Sequence, residues 1–446
     1  MVFLALVIVA IFLYIWDYKV SALFLFFFFV TSGFNLLPAS VTKFIFFSKG
    51  MDYAIILLFG ITVIESFFVK GYLKPDNFTK YFILLGVFLI ICMAYSRFVM
   101  GLEIAGIIRT SRYMFLWVAW FLFRSLKKEQ LEFLLKGLFL VTIFCAILFI
   151  LQIFLETSIL NEGAISRAVI FGMKFMRFYN HPDMLYFFTL MAIFHSPFKG
   201  VLKIITAVIL SLALMAAFHR SLIGFFIFSV CVGYILSLPN LKRIKVMSVA
   251  AVFLAGIVVF AGYKFIHSRT YVDIKTVLSG NILDVAQEID IETMQESTFT
   301  FRMALLTERI MYIQERPVAM IIGTGLVPED SKKIESMFDF NIGLSDELTG
   351  KTMQVDSGDI SYTMLFMRFG YLGTALYLLP MIVMMVFFYK KKENRYALFS
   401  FAFFVLAFGI SFFSSNLTNP VNYLLPMVCY HIVKKNEENI GTNISL

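Results

Sequence analysis

The chain has 446 residues, of which 60% are hydrophobic and only 15% charged, and its mean hydropathy is +0.86. This balance excludes a soluble globular domain, because a water-facing surface needs far more charge. The net charge of +9 is explained by loop Lys and Arg residues and by anionic lipid, so we expect no nucleic-acid partner. The four cysteines lie inside apolar runs and form no disulfide framework in the sequence.

Apolar runs of membrane length recur from Met1 to Ile432. A hydrocarbon core about 30 Å thick requires roughly 20 apolar residues per helix, so we predict an all-α polytopic membrane protein with about 12 or 13 transmembrane helices. The first run is predicted to be a span rather than a cleaved signal. The predicted spans are 1–16, 20–38, 51–69, 81–99, 108–124, 131–155, 183–198, 201–218, 221–238, 246–266, 360–389, 396–413 and 418–433.

Short basic loops predict the orientation. "RSLKKEQ", "LPNLKRIK" and "KKKENR" fall on one side when the spans alternate, and this side is expected to be the cytoplasm. The chain is therefore divided into N-terminal transmembrane helices (1–266), a long outer loop with short helices (267–358), C-terminal transmembrane helices (359–433) and a cytoplasmic tail (434–446).

Two positively charged positions lie at predicted outer ends of spans. The residues Lys174, Arg177, His181 and Asp183 precede an apolar run in "MKFMRFYNHPDMLYFF", and His219 and Arg220 stand between two apolar runs in "AFHRSLIGFF". The arginines and histidines among them are candidates for binding an anion. The alternatives are that Arg177 contacts lipid headgroups, that either histidine is structural, and that Arg220 is an interfacial anchor with a snorkelling stem.

A third positive position is a helix of the outer loop, "TFRMALLTERIMYIQERP". On a helical wheel Arg302 and Arg309 fall in the middle of the apolar side, away from the Glu-bearing face. A buried cation needs a partner, and an anionic ligand is one candidate. The alternative is pairing within the loop, with Glu288, Glu292 or Glu296.

Two acids precede the next long apolar helix, Asp356 and Asp359 in "VDSGDISYTMLFMRFGYLG". A carboxylate at the membrane surface could accept a proton from a sugar hydroxyl. The alternative is that Asp359 is the N-cap of that helix.

Taken in order, these four stretches resemble the O-antigen ligase and O-antigen polymerase superfamily over residues 160–375. "RFYNHPDMLYFF" is similar to its Arg and Asn/Pro element, and "AFHRSLIGFF" to its short Ser-Arg motif. "FRMALLTERIMYIQERPVAMIIGTG" resembles its Arg-led helix with a Gly-x-Gly turn. "DISYTMLFMRFGYLG" resembles the element that normally begins His-Asn, but Asp359 stands in the His position here.

The resemblance implies a C-type glycosyltransferase fold in the bacterial inner membrane, with a multi-pass chain and a site facing the periplasm. It implies a metal-independent inverting glycosyltransferase without cofactors, whose donor is an undecaprenyl-pyrophosphate-linked glycan. Arg220 and Arg302, with Arg309, would hold the pyrophosphate, and Asp359 would orient or deprotonate the acceptor. Arg177, His181, His219 and Asp356 are the further substrate-binding candidates.

The aspartate in the His position favours an O-antigen, capsule or exopolysaccharide polymerase over a ligase that uses lipid A core as acceptor. Membrane lipids and a partner that sets chain length are further expected contacts. A lipid-linked glycan flippase is the rival of another class, although only Glu65 stands in the middle of a predicted span and no repeat is found. A structural or assembly protein is the third alternative.

Overall fold

The computed structural model describes residues 2–43, 49–161, 165–170, 173–239, 299–343, 351–356 and 360–444. These residues are predominantly helical, which confirms the helical class. Four helices are long and apolar enough to cross a membrane, and several shorter apolar helices accompany them. By this measure the protein is a membrane protein.

The first half of the described chain contains eight helices. Their bounds are α1 Val2–Ile15, α2 Lys19–Val30, α3 Ala39–Thr42, α4 Gly50–Phe68, α5 Thr79–Ala94 with a π-turn Tyr95–Val99, α6 Ile104–Phe115, α7 Ala119–Ser125 and α8 Lys128–Leu155. A 3₁₀ turn, Leu116–Val118, joins α6 to α7 with helical backbone angles throughout, so the region predicted as the span 108–124 is one helical segment with a tightened turn.

The second half contains a hairpin and nine further helices in the described ranges. They are β1 Ile165–Ile170, β2 Met173–Phe178, α9 Leu185–His195, α10 Gly200–Ala216, α11 Arg220–Ser237, α12 Phe299–Gln314, α13 Pro317–Ile322, α14 Ile334–Met337, α15 Ser361–Lys390, α16 Arg395–Ile410 and α17 Val421–Ile444. The two antiparallel strands, with Ser166 opposite Arg177, were not predicted. The predicted span 246–266 lies outside the described residues.

Polar contacts join the helix ends into two groups, and we call the end that carries α12 the upper end. Here Asn35, after α2, donates to Asp183, before α9, and Asn419, before α17, does the same. Gln152 of α8 donates to Asn180 at 2.8 Å. The upper end therefore collects the segments that follow α2 and α8 and precede α9 and α17.

The opposite, lower end contains Glu65, which the sequence placed in the middle of a span. That prediction is wrong, because Glu65 lies one turn from the end of α4. Its carboxylate accepts from Tyr14 Oη at 2.7 Å, at the end of α1, and from Lys19 Nζ at 3.1 Å, at the start of α2. Glu65 thus closes the turn between two helices.

Two glycines interlock the outer loop with α15. Gly370 has φ +63° inside α15, and a Cβ there would lie 2.5 Å from the carbonyl oxygen of Ala319. Gly323 has φ +70°, and its Cβ would lie 2.4 Å from the carbonyl carbon of Arg368. Thr324 completes the contact by donating its N–H to the carbonyl of Met367 at 2.7 Å. Only glycine fits both positions, so the "GTG" stretch is a packing element.

A turn with four consecutive positive φ values follows α2. They are 50° at Ser32, 82° at Gly33, 58° at Phe34 and 63° at Asn35. A left-handed conformation costs about 1–2 kcal/mol for each residue that has a Cβ, so the surrounding structure must hold this turn in place. Thr31 contributes by accepting from the Phe34 N–H at 3.0 Å.

Candidate functional site

The junction between α10 and α11 presents His219 at the upper end. His219 is the N-cap of α11, and its Nδ1 accepts from the Leu222 N–H at 3.4 Å and contacts Ser221 Oγ at 2.9 Å. Phe218, just before it, has φ +49°, which is unusual for a bulky residue. The strained junction therefore fixes the direction of the imidazole.

Strand β2 brings Arg177 to the same junction. The Arg177 Nε–H donates to the carbonyl of Ala217 at 3.3 Å, and the guanidinium lies 4.4 Å from the centre of the Tyr179 ring. The hydrogen bond spans 40 residues of sequence. These two contacts hold the Arg177 side chain at the junction.

Helix α12 contributes Arg302, which is 5% exposed, so the predicted placement on the buried face is confirmed. Its guanidinium carbon lies 5.6 Å from the centre of the Phe413 ring, just beyond α16. The arginine therefore enters the bundle from the loop side, toward the start of α11.

These three segments converge. The pKa of His219 is lowered to about 4. Burial is the largest cause, followed by repulsion from Arg177, Arg302 and His181 in decreasing order. Arg177 and Arg302 therefore lie close enough to His219 to act on it electrostatically. We call Arg177, His181, His219 and Arg302 the basic cluster.

His181 completes the cluster in neutral form. Burial and, secondarily, Arg177 lower its pKa to about 4, so the ring is uncharged at neutral pH. Its Nε2 is hydrogen-bonded to the hydroxyl of Tyr186, in the first turn of α9. At neutral pH the cluster thus combines two guanidinium cations with two neutral imidazoles, a donor set suited to an anion.

Arg309 has different surroundings although it lies two turns from Arg302. It is 1% exposed, as the wheel predicted. Its guanidinium pairs with Glu308 and donates to the carbonyls of Ile342, Met353 and Gln354, the last two at 3.2 and 3.4 Å. Arg309 therefore holds the loop before α15; ligand binding by Arg309 stays a prediction.

Asp183 lies beside the basic cluster, two residues after His181. Its two carboxylate oxygens accept from Asn419 Nδ2 at 3.1 Å and Asn35 Nδ2 at 3.2 Å, and its N–H donates to Asn35 Oδ1 at 3.1 Å. We call Asn35, Asp183 and Asn419 the Asp183 network. Helix α9 begins at Leu185 rather than at 183, so the network lies before the helix.

Lys49, just before α4, connects this network to further charges. Its side chain is exposed, yet burial lowers the pKa of its ammonium, as does Arg112; Asp356, Asp52 and Asp183 raise it. Charges of both signs therefore surround Lys49. We call Lys49, Arg112, Asp52, Asp183 and Asp356 the charged cleft.

Two of the carboxylates in the charged cleft are ion-paired. Arg112 Nη1 lies 3.0 Å from Asp52 Oδ1, and Arg368 Nη2 lies 2.5 Å from Asp356 Oδ1. The Asp356 side chain is 40% exposed. The N–H of Asp356 donates to Glu329 at 2.8 Å, which fixes the backbone beside the pair. The predicted substrate-binding residue Asp356 is thus positioned at the upper end by Arg368.

Two predicted catalytic residues fall outside what the structure describes. Arg220 is the first residue of α11, but its side chain lies outside the described residues. Asp359 also lies outside them, as do Glu288, Glu292 and Glu296. The described part of α15 has Ile360 as its N-cap, with no side-chain cap hydrogen bond, and the N-cap alternative for Asp359 lies outside the described residues. Within the described ranges, no group of three or more His, Cys, Asp or Glu side chains could hold a metal ion.

Sequence reasoning missed the partners that come from distant segments. Asn35 and Asn419 lie 148 and 236 residues from Asp183, and no local pattern links them. Arg112 could have been identified from the sequence, because a charged residue inside an apolar run indicates a polar site. Neither a protein-family model nor a curated protein sequence matches the chain.

Proposed function

We propose that the protein is an integral membrane glycosyltransferase of the inner membrane that acts on undecaprenyl-pyrophosphate-linked oligosaccharide at the periplasmic face. The observation that carries the proposal is the basic cluster. The Arg177 Nε–H bond to the Ala217 carbonyl joins the segment of Arg177 and His181 to the junction that carries His219, and Arg302 of α12 interacts electrostatically with His219. Two guanidinium groups beside two neutral imidazoles can bind an anion, and a pyrophosphate is an anion of suitable charge.

The proposed role of the cluster is to hold the leaving group. When the bond between the sugar and the pyrophosphate breaks, negative charge grows on the phosphate oxygen, and guanidinium groups already in place stabilise it. Arginine suits this role because its planar fork pairs with two phosphate oxygens. Arg220, at the start of α11, and Arg302 are the residues to which we assign this function.

The acceptor is proposed to approach from the charged cleft. Lys49, Asp183 and Asp356 present donors and acceptors that can bind the hydroxyl groups of a glycan. An acceptor hydroxyl that attacks from the face opposite the pyrophosphate inverts the anomeric centre. Asp359, one residue before the N-cap of α15, is proposed to orient that hydroxyl. A polymerase, which uses a second lipid-linked glycan as acceptor, is favoured by the aspartate at this position.

The test is a transfer assay with purified protein in nanodiscs and isoprenoid-pyrophosphate-linked oligosaccharide extracted from the native membranes. We expect the wild type to lengthen the glycan and release isoprenoid pyrophosphate, and Arg302→Ala to do neither. Arg316→Ala is the matched control, because Arg316 lies just after the same helix, half exposed and paired with Glu315.

The other functions give different results in the same assay. Release of isoprenoid pyrophosphate only when lipid A core is added would identify a ligase. Passage of the glycolipid across a liposome bilayer without transfer to any acceptor would identify a flippase and contradict the proposal.

A further inference from the structure

We propose that Asp183 accepts the proton of the acceptor hydroxyl during transfer, an inference that rests on the proposed function. Its carboxylate is partly buried at the upper end, where the Asp183 network fixes its direction. It lies two residues from His181, a member of the basic cluster. The proposed leaving-group site and the proposed proton acceptor thus belong to one loop.

The hydrogen bonds to Asp183 leave it able to take a proton. A carboxylate offers about four acceptor positions, and Asn35 and Asn419 each occupy one, on different oxygens. Both partners are neutral amides. A hydroxyl group can therefore still donate to either oxygen.

The other carboxylates of the charged cleft are less suited to this role. Asp52 pairs with Arg112 and Asp356 with Arg368, so each of these carboxylates is already engaged by a guanidinium group. Among the residues that the structure describes, Asp183 is the carboxylate of this cleft whose direct partners are all uncharged.

The protonation behaviour of Asp183 agrees with this assignment. Burial raises its pKa to about 6, although hydrogen bonds from Asn35 and Asn419 and the charge of Lys49 act in the opposite direction. A base with a pKa near the working pH is both ionised and able to hold the proton. Tyr186 is the other titratable group that interacts with it.

The strained turn after α2 provides a second reason. Four consecutive positive φ values end at Asn35, whose side chain both donates to and accepts from Asp183. Strain of this kind persists where the surrounding structure enforces it, and it clusters at functional sites. Here it places an amide against the carboxylate.

The chemical step balances as follows. The acceptor oxygen forms a bond with the anomeric carbon of the donor, and its proton passes to a carboxylate oxygen of Asp183. The bond between that carbon and the pyrophosphate oxygen breaks, and its electron pair stays on the pyrophosphate. Asp183 then gives the proton to water.

The competing interpretation is that the Asp183 network only ties α2, α9 and α17 together. The Asp183→Asn variant distinguishes the catalytic from the structural interpretation, because it keeps the shape of the side chain and one acceptor oxygen but removes the base. With the same nanodisc assay, we expect kcat to fall about 100-fold or more, while donor Kd and the unfolding temperature change little. Asp330→Asn is the matched control, since Asp330 is an exposed acid paired with Arg109 at the upper end.

A pH profile adds a measurement that a structural role would not move. We expect the wild-type kcat to rise with pH through about 6, the pKa of Asp183. His181 and His219, with pKa values of about 4, do not titrate there. In Asn419→Ala the carboxylate loses a hydrogen bond that favours its ionised form, so the rise should move to higher pH.

The outcomes distinguish this inference from the proposed function. A wild type without transfer overturns both. An active wild type with Asp183→Asn within threefold of it overturns the role of Asp183 alone. If Asp183→Asn does not fold, the pH profile of Asn419→Ala decides, and an unchanged profile overturns the proton-acceptor role of Asp183. If the rise of kcat with pH disappears in Asp359→Asn, the proton acceptor is Asp359 instead.

Discussion

Arg302 and Arg309 lie two turns apart on the same face of α12, and both are buried, but their surroundings differ. The residues around Arg309 neutralise it: Glu308 pairs with it, and the carbonyls of Ile342, Met353 and Gln354 accept its protons. Arg302 enters a region with Arg177, His181 and His219, where the neighbours that act on His219 are basic. The acceptors around Arg309 assign it to the stability of the fold, whereas the basic groups near Arg302 are the observation on which its proposed anion-binding role rests.

The sharpest test of this difference is activity in Arg302→Ala. We expect the transfer rate to fall about 10² to 10³-fold, as when one donor to a developing oxyanion is removed. The variant should still fold, so that the loss is one of activity. Arg302→Lys should recover little activity, because a point charge lacks the two-pronged geometry. The measurements are initial transfer rates and thermal unfolding. If Arg302→Ala were as active as Arg316→Ala, the proposed anion-binding role of Arg302 would be contradicted.

Arg309→Ala should show the opposite behaviour. Glu308 and three carbonyls would lose their donor inside the loop, and breaking a buried pair destabilises by about 3 kcal/mol. The measurement is the free energy of unfolding in detergent, followed by the fluorescence of the tryptophans. Equal stability of Arg309→Ala and wild type would show that the two arginines do not differ in the way described.

The loop that holds both arginines depends on its contact with α15, which Gly370→Ala tests. The added Cβ would lie 2.5 Å from the Ala319 carbonyl at φ +63°, so we expect destabilisation by about 2 kcal/mol. Gly86→Ala in α5 is the control, because a Cβ there meets no atom within 4 Å, and it should be neutral or slightly stabilising. Similar unfolding temperatures for the two variants would rule out the interlock.

The smallest expected effect concerns the neutral histidines of the basic cluster. The pKa of His219 is about 4 in the folded protein and about 6.5 when unfolded, so the unfolded state binds more protons between these values. Stability should therefore fall as the pH drops from 6.5 toward 4, with Asp183 acting in the opposite direction because its pKa is raised. His219→Gln should reduce this dependence, seen as a shallower slope of unfolding temperature against pH. An unchanged slope would contradict the burial of a neutral His219.

The sequence predicted most of the helices and the buried face of α12, because hydrophobic periodicity is a local property. It did not predict that α2 ends at Val30, because the turn after it is held by distant contacts. It identified Arg177, His181, His219 and Arg302 separately, but their convergence depends on packing. The Asp183 network was beyond sequence reasoning, since its amides come from opposite ends of the chain.

The glycine inside α15 also determines how deep the proposed site lies in a bilayer. The part of the helix after Gly370, residues 371–390, is about 30 Å long at 1.5 Å per residue, which matches the thickness of a hydrocarbon core. The part before it, from Ser361 to Phe369, carries Arg368 and contacts α12 and α13. In a bilayer, the kink at Gly370 would divide one helix into a membrane anchor and a segment at the level of the headgroups. The charged groups beside the segment before Gly370 would then contact the phosphates of a lipid without entering the hydrocarbon core.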